Sequence, residues 1–317
     1  MTTVTTTVTR HRVLVLTCLL VFVVGLPLSL PGLPVNTPAS AARAGPLMGP
    51  ARGDELHVMT FNLRFAKEGD THPWSQRRRV MAELFRREQP TLLGTQEGLY
   101  GQLRDIDEDL PDYYDWIGEG RKGGSRDEFM AVFFDTRRLE PVAYDHFWLS
   151  DTPDVVGSNT WGNDSVRMVT WVRFHDKRTG KEFVALNTHL DDESAYSRDR
   201  AATLIRERVG AFPAELPVIV TGDFNDPAEH SRPYEILTDG TGLTDSWLTA
   251  RQRRTPVYTT WHHYEPLERN GRRIDWVLTR GAVTVDAVGL NTFARKGLFP
   301  SDHLPLQVRV RLTTAGS

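Results

Sequence analysis

The chain has 317 residues, of which 39% are hydrophobic and 25% charged, with a net charge of −3. This is ordinary globular composition, and the length accommodates one α/β domain of about 200–250 residues. It excludes a global basic field that would draw the chain onto a polyanion. The only cysteine, Cys18, excludes a disulfide framework or a cysteine nucleophile beyond the N-terminal segment.

Residues 1–12 are polar and carry Arg10 and Arg12 but no acid; residues 13–30 are apolar except for Thr17, Gly25, Pro27 and Ser29. Small-residue triplets follow, Ala39-Ser40-Ala41 and Ala42-Arg43-Ala44. A charged start, an apolar run and an A-x-A site describe a secretory signal peptide over residues 1–41. An 18-residue run is also the lower edge of a membrane span, so an N-terminal anchor is the alternative. Pro27 and Pro31 favour a helix that breaks near a cleavage site. Both readings place the remainder outside the membrane, secreted or at the cell surface. Residues 42–53, rich in Pro, Gly and Ala, read as a linker, and residues 54–317 as a single domain.

From Leu56 onward, short apolar runs alternate with helical patterns. His57 to Phe61 reads as a strand, and Trp74 to Glu88 as an amphipathic helix with Met81, Leu84 and Phe85 on one face. Thr91 to Gly94, Phe129 to Phe134, Val169 to Phe174 and Phe183 to Leu186 are strand candidates. A helix is expected over Arg198 to Val209, then a buried strand at Val218 to Val220. Ile274 to Leu278 and Leu306 to Leu312 complete the strands, while Pro141 to Asn163 and Thr244 to Tyr264 read as loops. Strands mixed with helices predict one α/β domain.

The chemistry-bearing residues sit where the apolar runs end. Asn62 follows the first strand, and Glu97 the second, in Gly94-Thr95-Gln96-Glu97-Gly98. His189 follows the Phe183 strand. Asp223 and Asn225 lie in Gly222-Asp223-Phe224-Asn225, Asp275 in Arg273-Ile274-Asp275-Trp276, and Asp302 and His303 in Ser301-Asp302-His303. Polar groups at strand ends face the crevice where open sheets bind ligands. Singly, each has a plain structural reading: Asn62 or Asp302 as a turn former, Glu97 as a solvated carboxylate, His189 as a satisfied core histidine. Asp275, among apolar neighbours, needs a partner. Period-two spacing sets Asp223 and Asn225 on one side with Phe224 facing the core.

Phosphoester hydrolysis uses the whole set. It needs a hard cation, for which magnesium takes oxygen ligands such as Glu97 with Asn62. It needs a base to prepare water, from Asp223 or from His303 backed by Asp302. It needs donors for the developing charge, for which His189 and Asn225 are candidates.

This ordered set, over about residues 55–312, resembles the endonuclease/exonuclease/phosphatase superfamily. The resemblance implies a four-layer α/β sandwich, two central mixed β-sheets flanked by helices, with the site at one end of the sheets. It implies Mg²⁺ as cofactor, with Mn²⁺ a substitute, held by Glu97 beside Asn62. Asp223 and Asn225 would position water and phosphate, and His189 would contact the phosphate. His303, oriented by Asp275 or Asp302, would act as general base or phosphate ligand. Glu128 corresponds to a family carboxylate near the catalytic histidine. Arg121, in a Gly-rich basic loop, would reach a substrate phosphate or belong to a mobile surface loop. Trp74 with Arg77 and Arg78, and Trp161-Gly162 followed by Arg167, resemble an exported bacterial group of the superfamily. The expected activity is a divalent-metal-dependent phosphodiesterase, nuclease or phosphatase. The substrate would be a nucleic acid, a phospholipid headgroup or a small phosphate ester, with no obligate protein partner and a monomeric state. The alternatives are a sphingomyelinase-like phospholipase and a non-catalytic binder on the same fold. The absence of G-x-S-x-G argues against a serine hydrolase, and the absence of H-E-x-x-H and paired cysteines against a zinc site.

Overall fold

The computed structural model describes residues 45–313. The expected signal peptide lies outside the described residues. Among those described, no helix is long and apolar enough to cross a membrane.

In chain order the elements are β1 (Glu55–Asn62), α1 (Trp74–Glu88), β2 (Leu92–Gln96), β3 (Gly98–Leu99), α2 (Tyr100–Asp109), β4 (Tyr114–Ile117), β5 (Glu128–Phe129) and β6 (Val132–Asp135). They continue with β7 (Leu139–Trp148), β8 (Met168–Asp176), β9 (Glu182–His189), α3 (Ala195–Gly210), β10 (Val218–Asp223) and α4 (Arg232–Thr238). The last are β11 (Thr244–Asp245), α5 (Ser246–Thr249), β12 (Gln252–Arg253), β13 (Asp275–Arg280), β14 (Val283–Leu290) and β15 (Leu306–Leu312).

Two sheets form the centre. The seven-stranded sheet runs β12-β14-β15-β1-β2-β6-β4, and the six-stranded sheet β11-β13-β10-β9-β8-β7. Each has a parallel pair at its heart, β1 with β2 and β9 with β10, between antiparallel neighbours. Alternation along the strands separates the layers. In β1, Val58 faces the other sheet with Leu92, Phe174, Ala185 and Ile219. Its neighbours Met59 and Phe61 face outward onto Met81, Leu84 and Phe85 of α1 and Leu103 of α2. On the far side, Val184, Val218 and Val220 meet Ala201, Ile205 and Val209 of α3. Each such fully buried aliphatic or aromatic side chain stabilises the fold by about 1.5–3 kcal/mol. The result is the expected four-layer α/β sandwich.

Helix α1 ends where the sequence tells it to. Gln89 adopts a left-handed backbone (φ 44°) and donates to the Phe85 carbonyl, and Pro90 cannot continue the helix.

Several local expectations change. The stretch from Thr244 to Tyr264, read as loop, contains α5 and the short strands β11 and β12. The strand read over residues 129–134 is divided, with β5 and β6 separated at Met130-Ala131. The stretch from Pro141, read as loop, begins inside the ten-residue strand β7. Proline is tolerated because β7 is the sheet edge and its pairing with β8 shifts register between Pro141 and Ala143. The part of the expected linker that is described, residues 45–53, is docked on the domain. The Glu88 carboxylate accepts the backbone N–H groups of Leu47, Met48 and Gly49, Arg309 donates to the Met48 and Gly49 carbonyls, and Arg138 to that of Gly53.

Candidate active site

The two central parallel pairs end at one rim. Asn62 closes β1 opposite Gln96, and Glu97 follows directly. His189 closes β9 opposite Asp223, the last residue of β10, which in turn faces Asp275 at the start of β13. Strand β15 runs antiparallel to β1 with Leu306 opposite Thr60, so Ser301-Asp302-His303 arrives at the same end. Of these, Glu97, His189, Asp223, Asp302 and His303 line a cleft of about 730 Å³.

The centre is an amide between two carboxylates. Asn62 Nδ2 donates to Glu97 Oε1 at 2.8 Å and to Asp223 Oδ2 at 2.9 Å, while its Oδ1 accepts the Arg64 N–H at 2.9 Å. Glu97 has a left-handed backbone (φ 61°), a conformation that costs a non-glycine residue of order 1 kcal/mol or more. Its Oε2 accepts the Phe65 N–H. Asp223 Oδ1 accepts the N–H of Asn225, itself at φ 52°. Phe224 between them is fully buried and stacks on Trp276 at 4.1 Å, the alternation expected from the spacing. One ligand atom each from Glu97, Asp223 and His303 lie within 4.8 Å of one another, a group able to hold a metal ion.

The two histidines approach Asp223 Oδ2 from either side, His189 Nε2 at 3.5 Å and His303 Nε2 at 3.7 Å. Their surroundings are opposite in charge. His303 Nδ1 contacts Asp275 Oδ2 at 3.0 Å. Burial opposes protonation of that imidazole, but Asp275 and Asp223 outweigh it and raise the pKa to about 10. His189 is held well below its ordinary value, by burial first and then by the charges of Arg167 and Arg121. Asp223 is raised by burial and by the nearby Asp275.

Of the two carboxylates considered for His303, Asp275 makes the contact. Asp302 Oδ2 instead accepts Arg64 Nη1 at 2.6 Å and Trp261 Nε1 at 3.3 Å. Burial would raise the Asp302 carboxyl, but His303 and Arg64 keep it below its usual value. Arg121 is buried rather than mobile: its Nη2 lies 2.9 Å from His189 Nδ1 and 2.8 Å from Glu128 Oε2. Glu128 thus reaches His189 only through the guanidinium. Within Trp261-His262-His263-Tyr264, Trp261 is half-exposed at the cleft, while His262 is buried and Tyr264 stacks on His72 at 3.8 Å.

Sequence reasoning did not assign site roles to Arg64, Asp70 or Arg167, which also line the cleft. Arg64 grips both Asp70 and Asp302. Its position two residues past Asn62 was the available signal. Arg167 pairs with Asp191 and Asp192.

Stacked mixed sheets flanked by helices, with carboxylates and imidazoles converging at the strand ends, define a hydrolase of the deoxyribonuclease I-like fold. Residues 59–303 match the Endonuclease/Exonuclease/phosphatase family, and the chain belongs to it. An endonuclease/exonuclease/phosphatase family protein from Bacteroides thetaiotaomicron is 31% identical, with a TM-score of 0.75 over 82% of this chain and 98% of that one. A mannosyl-6-phosphatase from the same organism is 32% identical, with a TM-score of 0.74 over 80% and 99%. The catalytic domain of human Nocturnin, with a bound sulfate, shares the fold at 20% identity, with a TM-score of 0.64 over 82% of this chain and 94% of that one. The curated protein angel of Drosophila melanogaster is 30% identical over 129 residues, 40% of this chain and 35% of that protein. The match thus spans about a third of that relative's length.

Proposed function

We propose that the chain is a divalent-metal-dependent phosphatase of small phosphate esters that acts outside the cytoplasm. The observation that carries the hydrolytic reading is the Asn62 amide bridging Glu97 and Asp223 beneath two histidines. The carboxylate oxygens of Glu97 suit magnesium, a hard cation that needs only one or two protein carboxylates and keeps several waters. When bound there, the cation would supply charge neutralisation to the phosphoryl oxygens and acidify a water.

The protein's own groups divide the remaining work. Asp223, its affinity for a proton raised by burial, orients the attacking water and takes its proton. His303 carries positive charge under Asp275 and places it against a phosphoryl oxygen. His189 and Asn225 donate to the same group. Glu97 holds the metal and Asn62 keeps the two carboxylates in register.

A small ester is favoured over a polymer by the cleft, whose roughly 730 Å³ suits a small ligand, and by the net charge of −3. The resemblance to a mannosyl-6-phosphatase over 80% of this chain and 99% of that one points the same way. Export rests on the signal-peptide pattern of residues 1–41.

The test is a substrate panel with Mg²⁺: hexose 6-phosphates, a chromogenic monoester, a chromogenic diester, plasmid DNA and sphingomyelin. Fastest turnover is expected on a sugar monoester. Preference for DNA or sphingomyelin would replace the substrate class and keep the hydrolase. N-terminal sequencing of protein from culture medium is expected to begin near Ala42. Recovery only from membranes with an intact N-terminus would favour the anchor.

A further inference from the structure

Two hydrogen-bond donors converge on the ring of His189. Arg121 Nη2 stands 2.9 Å from Nδ1, and Asn225 Nδ2 stands 2.9 Å from Nε2. A neutral imidazole has one N–H and one lone pair, so only one of these donors can be accepted.

Three observations decide between them. Arg121 is a guanidinium, always a donor, and a charge-assisted bond is roughly twice as strong as a neutral one. Asn225 Nδ2 already has another acceptor, the Leu190 carbonyl at 3.0 Å. A hydrogen on Nε2 would face Asp223 Oδ2 at 3.5 Å, whereas a hydrogen on Nδ1 would point at a cation. The guanidinium is also fixed in place. Arg121 is 2% exposed, and Glu128 Oε2 lies 2.8 Å from the same Nη2. The indole N–H of Trp148 donates to the Arg121 carbonyl at 2.7 Å.

We propose that Arg121 is a positioning residue that keeps Nδ1 of His189 unprotonated, so that the ring proton sits on Nε2 and faces the substrate phosphate. The assignment rests on the hydrolytic reading above for its consequence, but not for its geometry. A carboxylate in the same place would accept a hydrogen from Nδ1 and favour imidazolium. The guanidinium does the reverse, leaving Nε2 as the ring's donor. Glu128 acts one step further out, by anchoring Arg121.

The test has a structural and a kinetic arm. Long-range ¹H–¹⁵N NMR of histidine-labelled full-length protein reads the tautomer directly, with and without Mg²⁺, and loss of the signals in His189→Gln assigns them. Wild type is expected to show a lone-pair Nδ1 and a protonated Nε2. Arg121→Lys, which also only donates, is expected to keep that pattern. Arg121→Met is expected to shift it toward protonated Nδ1 and to lower kcat on the order of 10–100-fold, the scale for partners that orient an active-site imidazole, with little change in KM. Since Arg121→Met leaves the part-buried Glu128 without its ion-pair partner, the double variant Arg121→Met/Glu128→Gln is measured beside it. A protonated Nδ1 in wild type would overturn the assignment, as would an unchanged tautomer and kcat in both methionine variants. Absence of any phosphoester turnover by wild type would instead overturn the hydrolytic reading, leaving the NMR result to judge Arg121.

Discussion

Gln96 and Asn187 are hydrogen-bonded across the boundary between the two sheets, Nε2 to Oδ1 at 2.7 Å. Asn187 Nδ2 returns the link to the Thr95 and Ala131 carbonyls at 2.7 and 3.0 Å. The sheets approach so closely here that a Cβ on Gly94 would collide with Thr221 and Asn187. One residue past Gln96 is Glu97, and two past Asn187 is His189. The amide pair therefore ties Glu97 of one sheet to His189 of the other.

Replacing Asn187 with Ala is expected to remove four buried hydrogen bonds at once, to Gln96, Thr221 and the Thr95 and Ala131 carbonyls. Each contributes about 0.5–1.5 kcal/mol net. Urea unfolding should show a loss of roughly 3 kcal/mol or more, and turnover should fall even where the variant remains folded. A loss below about 1 kcal/mol would show that the two sheets do not depend on this contact.

Glu97→Ala is expected to abolish turnover while leaving the metal-free protein folded. It removes one of a crowded set of negative groups and does not touch the core. Wild type should gain melting temperature on adding Mg²⁺, by mass action on the folded state, and the variant should not. Chelation should inactivate wild type, with Mg²⁺ or Mn²⁺ restoring it. Full activity in Glu97→Ala, or activity that survives exhaustive chelation, would contradict the metal assignment.

His57 sets part of the acid stability. Its ring is fully buried, and burial, followed by the Arg309 charge, lowers its pKa to about 3. In the native state it stays neutral, while in the unfolded chain it takes up a proton below about pH 6.5. The unfolded state therefore binds more protons between these values. The stability is fully present above pH 6.5 and is lost as pH falls toward 3. At about 1.4 kcal/mol per pH unit, roughly 2–3 kcal/mol is expected to disappear between pH 6.5 and 4.5. His57→Gln should flatten that slope in melting experiments; a variant with the same slope would assign the acid sensitivity elsewhere.

His189 and His303 are expected to act as one unit. Both face the same Asp223 oxygen, at 3.5 and 3.7 Å, though they lie far apart in sequence. Each alanine variant should lose on the order of 10²–10⁴-fold in rate, and the double variant should lose less than the product, since residues serving one phosphate are non-additive. Losses that multiply cleanly would mean independent roles. A single variant within a few-fold of wild type would make that histidine structural.

Much of this arrangement was legible in the sequence, for a local reason. Asn62, Glu97, His189, Asp223 and Asp275 stand at the ends of apolar runs, and strand periodicity alone says which residues face the core and where a strand stops. Helix α1 was equally plain from its apolar face and the proline after it. The same local reasoning misread residues 141–148, because an edge strand with one unpaired side admits proline and only the sheet order makes it an edge. It read residues 42–53 as a linker and gave no sign of what residues 45–53 touch, because the Glu88 carboxylate that captures the backbone of Leu47 to Gly49 lies about 40 residues away in sequence.

What the sequence determined by itself was thus the class of side chain at the end of each apolar run, while the four layers were implied by the family resemblance. What only the tertiary structure decided was pairing. His303 takes Asp275 rather than Asp302, because β13 begins opposite Asp223 while Asp302 is claimed by Arg64. His189 takes Arg121 rather than Glu128, because a buried guanidinium stands between them. Periodicity is a property of neighbours along the chain. The charge beside each imidazole depends on strands brought together from distant parts of it, and that charge sets the protonation state of each ring.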